Sequence, residues 1–389
     1  MLDLRFALGG LLFCLLAGWP MQAQLIYFNT SSAILSSNTL DSVATNGIGK
    51  TTLLTATGID FNKLNRCTAL AVDGLNGKLF LIDGAANSLW SVNLDGSGLA
   101  LVKSELASFP TDLALDVLNE TIYYTTSSTI QSDNTVRRMD YTGNNQAILF
   151  TGTGAAGNGV FRCTAIAVDV SHARLFVADA GAQTIWSLSL NGTSLTPLAT
   201  ATTAVPTGLA LDVANQQVYF TLGSTVQNAN LIQRVSYSGS GRVTLFTAAG
   251  SVQRCTALDL DVPHSAIYLS DAGANTLWRI PLAGGSATPV LSGLNATAKK
   301  VRWFSGPTTR PSPGFTSMKR SGTDVILNAT NVFAGGAYYV LTSTNLTTPL
   351  SQWLAVFTNV LGASGSFTFT ATNALASKLP RQFYILRVQ

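Results

Sequence analysis

Charge is what this sequence has least of. Of its 389 residues only 11% are Asp, Glu, Lys or Arg, against about 25% in an ordinary soluble protein. The 23 basic and 19 acidic side chains sum to a formal net charge of +4 and form no basic run, which argues against a nucleic-acid partner. No stretch shows a helical period of useful length, and past the N-terminus no apolar run approaches the roughly 20 residues a spanning helix needs. What is abundant is apolar surface and turning capacity: 47% hydrophobic residues and 34 glycines. A chain of that kind can bury a large core, so intrinsic disorder, collagen and coiled coil are excluded.

The longest apolar run is the first. Arg5 precedes Phe6 to Trp19, and Pro20 and small or polar residues follow. At about 14 residues the run is too short to span a bilayer, and it fits a secretory signal peptide over residues 1–24, cleaved near Ala23, better than an anchor. Phe13 stands before Cys14 where a lipoprotein signal has a small residue. The expected location is secreted, periplasmic or cell-surface, with no transmembrane segment in the mature chain.

The chain repeats itself. Arg66-Cys67-Thr68-Ala69-Leu70-Ala71-Val72-Asp73 returns at Arg162 to Asp169 and at Arg254 to Asp261, and between these copies Pro110 to Val117 returns at Pro206 to Val213. Each unit is about 45 to 50 residues, the length of one four-stranded propeller blade. Within a unit, short alternating or β-branched runs are separated by turn chemistry such as Asn191-Gly192, so the chain is all-β. Five innermost strands begin at Cys67, Pro110, Cys163, Pro206 and Cys255, and a sixth is expected over Ala296 to Trp303. That last strand lacks outer partners. Leu25 to Ser32, which matches Thr121 to Ser128 and Gln217 to Ser224, has outer strands without an inner one. Together they complete one shared blade. The expected fold is a six-bladed β-propeller over residues 25–305, a monomeric ring closed by both ends of the chain, which removes open sheet edges.

Leu113-Ala114-Leu115-Asp116, Ile122 to Thr126 and Arg138 to Gly143 followed by Ile148-Leu149-Phe150 resemble the YWTD-type repeats of the low-density-lipoprotein-receptor family, which build six-bladed propellers. Val168-Asp169 to Val177-Ala178-Asp179 is similar to the related NHL-type repeat. The tetrad is nowhere intact: its aspartate stands at Asp83, Asp179 and Asp271, with Thr30, Thr126 and Leu222 in the alternate blades. Past a proline-rich linker at 306–313, residues 314–389 carry alternating strands too few for another ring, expected to form a small β-sandwich. Tyr338, Tyr339, Ser343 to Leu346, Trp353, Phe383 and Tyr384 resemble the C-terminal module of secreted proteins of the Verrucomicrobia, which implies attachment or sorting.

Two equivalent sets mark the channel mouth. Cys67, Cys163 and Cys255 either form a thiolate ring for a soft metal or pack as small apolar residues near the axis; without close-spaced ligand pairs the second reading is preferred. Arg66, Arg162 and Arg254 either converge on an anionic ligand or splay to cap carbonyls. Asp73, Asp116, Asp169, Asp212 and Asp261 share one repeat position and read as strand-end hydrogen bonds. Arg302 occupies it in the closing strand. Two residues earlier Asp259 and Lys300 are the only charges, so Asp259 is expected to pair with Lys300, and Arg302 with Asp261 or Asp73. His172 and His264 sit in equivalent turns, and no nucleophile elbow, phosphate loop or metal cluster stands out. The sequence therefore points to an exported, non-catalytic binding protein, without cofactor or bound metal, for an unidentified protein or glycan. A metal-dependent propeller hydrolase of the lactonase or esterase kind is the alternative.

Overall fold

The computed structural model describes residues 24–57, 64–152, 159–305, 314–332, 337–345, 347–348, 352–360, 365–372 and 383–388. The signal-peptide expectation, but for Gln24, and the proline-rich stretch 306–313 lie outside the described residues.

Residues 24–305 form six four-stranded antiparallel sheets. Sheet I combines Leu25–Ser31, Thr39–Ala44 and Thr51–Thr55 with Thr297–Phe304, which pairs along Leu25–Ser31 as the innermost strand. Sheets II to VI each use consecutive strands, with innermost strands Cys67–Asp73, Phe109–Asp116, Cys163–Asp169, Val205–Asp212 and Cys255–Asp261. These strands pack in circuit from sheet II to sheet VI, then onto Thr297–Phe304 and back to Cys67–Asp73. The result is a β-propeller. Both faces of a sheet are buried: Leu70, Leu79, Leu81 and Trp90 of sheet II pack against Tyr27 and Leu40 of sheet I, while Ala69, Phe80 and Ile82 pack against Leu113 and Ile122 of sheet III. Successive rather than alternate positions are therefore apolar, as the low charge fraction requires.

One glycine per sheet records the closure. Gly47, Gly96, Gly143, Gly192, Gly239 and Gly284 sit in the turns between third and fourth strands, with φ from 81° to 93°. An added Cβ would meet the carbonyl oxygen of Val290, Leu53, Val102, Leu149, Leu198 and Leu245 respectively. Every one of those carbonyls belongs to the outermost strand of the preceding sheet. The contact between Gly47 of sheet I and Val290 of sheet VI completes the circuit, and only glycine suits both the positive φ and the close approach.

The closing strand differs from its expected register. Lys300 pairs with Asn29 and Ala298 with Thr30, leaving Lys299 in a bulge; Asp112 pairs with Thr125 and Pro110 with Thr126, leaving Thr111 in the same place. Lys300 is thus equivalent to Asp112 and Arg302 to Ala114, and Phe304, not Arg302, takes the position of Asp73. The strand is displaced by two residues from the repeat alignment. Because strand side chains alternate with period two, this offset keeps each charge on its face and changes its level along the axis.

Beyond the propeller the described residues form two three-stranded sheets, Gly314–Ser321, Asp324–Val332 and Gly365–Ala371 in one, Leu354–Val360, Ala337–Ser343 and Phe383–Val388 in the other. Leu327 and Phe369 of the first and Val340, Phe357 and Leu386 of the second share one core, which makes a small β-sandwich. Gly314–Ser321 is a strand that its alternation does not announce.

Candidate functional site

Innermost strands begin at one end of the ring, the arginine face, and end at the other. The strand ends are occupied as the repeat suggests: Asp73 Oδ1 accepts the Asn76 backbone N–H at 2.9 Å, Asp116 that of Asn119 at 3.1 Å and Asp212 that of Asn215 at 3.1 Å. Asp169 and Asp261 serve His172 and His264 in the same way, with Nδ1 2.7 Å from the carboxylate in each case. Asp261 is thereby tied to its own turn.

At the arginine face, buried Asp83, Asp179 and Asp271 fix the backbone that carries the arginines. Asp179 accepts N–H groups from Phe161 (2.7 Å), Arg162 (2.9 Å), Gly181 (2.9 Å) and Ala182 (3.1 Å), and from the Trp186 indole (3.2 Å). Asp83 and Asp271 hold Arg66 and Arg254 alike, Asp271 accepting the Arg254 N–H at 2.8 Å. The Arg66, Arg162 and Arg254 side chains are left exposed, and their level of the ring is completed by Phe109, Val205 and Thr297.

The cysteines are not part of this mouth. Cys67, Cys163 and Cys255 are free and buried, each in the packing between two sheets: Cys67 among Tyr27, Leu64 and Leu70, Cys255 among Tyr219, Leu258 and Leu269. Burial, then the nearby aspartate, pushes all three thiols up, Cys255 to about 12. The preferred packing reading describes them, and their place among the channel-mouth candidates is corrected: adjacent residues on a strand point opposite ways, so Arg66 and Cys67 cannot both line the mouth.

One residue past each cysteine lies the bulge position. Threonines there stitch sheet to sheet: Thr164 Oγ1 donates to Pro206 O at 2.7 Å, Thr207 to Cys255 O at 3.3 Å and Thr256 to Ala298 O at 3.1 Å. Sheet I has Lys299 instead, and Asn29 takes over the stitch, its Nδ2 donating to Cys67 O at 2.6 Å. The Lys299 ammonium is then free of that duty. Burial, and next Arg254 and Arg66, hold its pKa below the usual lysine range. Lys299 thus lies within electrostatic reach of Arg66 and Arg254, carried by the two neighbouring sheets, while Arg162 belongs to sheet IV across the ring. Among the described residues none of these four cations has a carboxylate within ion-pair distance or a side-chain hydrogen bond. Sequence reasoning missed Lys299, although a Lys-Lys pair in so uncharged a chain was the available signal.

The channel below is charged at two levels. At the first, Ala69, Ala165, Gly208 and Ala257 leave Asp112 and Lys300 as the only charges, and Lys300 Nζ lies 2.9 Å from Asp112 Oδ2. Sheets I and III are not neighbours, so this pair reaches past sheet II. At the next level Asp259 and Arg302 are the only charges, on adjacent sheets, and Arg302 is the chief influence opposing the upward push of burial on Asp259. Arg302 also comes within 3.8 Å of Asp112 Oδ1. Each carboxylate accepts an N–H from the exposed edge of the next innermost strand, Asp112 from Ile166 at 3.2 Å and Asp259 from Trp303 at 2.7 Å. The expected Asp259–Lys300 pair and the pairing of Arg302 with Asp261 or Asp73 are therefore corrected by the two-residue displacement. Among the described residues no group of three or more His, Cys, Asp or Glu side chains could hold a metal ion.

No protein-family model matches the chain, and no curated protein does. Solved structures do. The chain is similar to one in a crystal structure of a nidogen/laminin complex, at 17% identity and a TM-score of 0.60, over 73% of this chain and 99% of that one. It is also similar to TolB from Acinetobacter baumannii, at 9% identity and a TM-score of 0.56, over 73% and 67%. At these identities the likeness is one of fold: the chain carries a β-propeller.

Proposed function

We propose that this protein is an exported, non-catalytic binding protein of the YWTD- or NHL-like propeller class, engaging a protein or glycan partner through the arginine face of its ring. In this reading residues 1–24 are the export signal, 306–313 a linker, and residues 314–389 the module for attachment or sorting. The observation that carries it is the set of four cations, Arg66, Arg162, Arg254 and Lys299, presented on one rim without anionic partners among the described residues. Charged groups are scarce in this chain, and those in the channel face an opposite charge, so four uncompensated cations at one mouth favour an anionic group on the partner. Apolar residues share the face: Phe109 is 63% exposed, Ile130 61% and Val226 60%. A propeller in complex with a protein, as nidogen with laminin, lends support by fold alone.

The test compares immobilised wild type with an Arg66→Gln/Arg254→Gln/Lys299→Thr variant as bait in extracellular material from its source. A partner retained by wild type, released by salt and lost in the variant supports the assignment. Equal capture by both refutes the arginine face, and turnover of ester or lactone substrates refutes the non-catalytic reading.

A further inference from the structure

At the outer part of sheet I, away from the axis, the ring contains a polar cavity at a place where sheets III and V hold an arginine. Its volume is about 160 Å³, and Thr30, Thr39, Asp41, Lys50, Thr52 and Asn295 contribute its polar wall. That is room for roughly five waters at about 30 Å³ each. Asp41 is fully buried. Its Oδ1 is 3.0 Å from Lys50 Nζ and accepts from Thr52 Oγ1 at 2.6 Å, while Thr39 Oγ1 donates to Oδ2.

The repeat explains why the space is open. Asp41 pairs with Phe28 as Gln233 pairs with Phe220 and Arg137 with Tyr124, and Lys50 precedes its fourth strand as Arg242 does. In sheet V, Arg242 crosses the equivalent space. Its Nε donates to Gln233 Oε1 at 2.9 Å, its head lies 5.9 Å from the Phe220 ring centroid, and Nη1 reaches Thr200 O on the preceding loop at 3.0 Å. In sheet III the Arg137 guanidinium occupies the position, its Nε donating to Thr135 Oγ1 at 2.8 Å. In sheet I the lysine turns back onto Asp41, and the preceding loop with Asn295 is left unbridged.

We propose that this cavity is a binding site for a small neutral polyhydroxylated molecule, a monosaccharide or cyclitol. Lys50 and Asp41 cancel each other, so a charged guest has no uncompensated counter-charge. The Thr30, Thr39 and Thr52 hydroxyls already donate to Ser37 O and to Asp41, so toward a guest they offer oxygen lone pairs, while the Lys50 ammonium donates and the Asn295 amide does both; an apolar guest would use none of these. A polyol matches both conditions, with hydroxyls able to donate to the threonine oxygens and accept from Lys50. The site is independent of the arginine face.

The experiment is saturation-transfer NMR of the whole protein with D-glucose, D-galactose, D-mannose and myo-inositol, using acetate and methylammonium as charged probes. At least one neutral probe should bind saturably to wild type. Lys50→Arg, which installs the sheet V solution, and Ser36→Phe, which covers the cavity from an exposed position, should each weaken it tenfold or more, and Arg66→Gln should leave it unchanged. Absence of saturable binding by every neutral probe, binding of charged probes alone, or affinity indifferent to both Lys50→Arg and Ser36→Phe would each overturn the proposal.

Discussion

Lys300 of the last propeller strand and Asp112 of sheet III meet at 2.9 Å, joining two innermost strands that are not neighbours in the ring. Both side chains are almost wholly buried. Such a pair adds little net stability against an apolar substitute, since desolvation offsets attraction, but a single survivor is left as an unpaired buried charge.

Lys300→Met is therefore expected to lower stability by about 3 to 5 kcal/mol, read as a shift in the denaturant midpoint. Lys300→Met/Asp112→Leu should cost less than Lys300→Met alone, because it strands no charge. A single variant as stable as wild type would show that the pair does not hold the closing strand.

Lys299→Thr installs the residue that the other five sheets carry at this bulge. It removes a half-buried cation lying beside Arg66 and Arg254, so the thermal midpoint should stay level or rise. The folded state holds this lysine below its ordinary pKa of 10.5. Wild-type stability should consequently gain with rising pH in the window just below 10.5, where the unfolded chain retains the proton and the folded one has released it, and the variant should lack that gain. Matched melting curves at pH 8 and pH 10 decide the matter.

The three cysteines should resist alkylation until the protein unfolds. Cys255 is raised from 9.0 to about 12, so above pH ~9 the unfolded chain loses a proton that the folded one keeps. Its contribution is full below that pH and falls by about 1.4 kcal/mol per pH unit toward 12. Cys255→Ala should flatten the alkaline limb of the stability curve. Rapid labelling of native protein at pH 8 would contradict the buried assignment.

Gly192 and Gly239 share a positive φ, 85° and 82°, but an added Cβ would lie 1.9 Å from Leu149 O in one case and 3.2 Å from Leu198 O in the other. Both alanine variants pay the backbone strain, roughly 1 kcal/mol. Gly192→Ala should lose clearly more, because a backbone carbonyl of the neighbouring sheet must move. Equal losses in chemical denaturation would mean that the sheets adjust freely at their outer turns.

The repeat makes the architecture legible in the sequence. Strand period, turn glycines and the recurrence of Arg-Cys-Thr-Ala specify four-stranded sheets, and the unmatched strands at the two ends specify a shared one, because these patterns are local and are copied along the chain. The same logic identified Asp259, Lys300 and Arg302 as the charges that break the repeat. It did not find their partners. The bulge that every innermost strand carries falls at Lys299 in the closing strand, two residues later than the repeat alignment places it, and nothing local to residues 296–304 distinguishes the two registers, since both bury the same side-chain face. Only the packing of that strand against Leu25–Ser31 chose between them, placing Lys300 level with Asp112 and Arg302 level with Asp259. The mouth was divided in the same way. Sequence put Arg66, Arg162 and Arg254 on one rim. Tertiary structure turned Cys67, Cys163 and Cys255 into the sheet packing, gave the stitch of sheet I to Asn29, and so left Lys299 within electrostatic reach of two arginines. Charge placement in this ring depends on which residues face each other across sheets distant in sequence, and that relation exists only once the ring is closed.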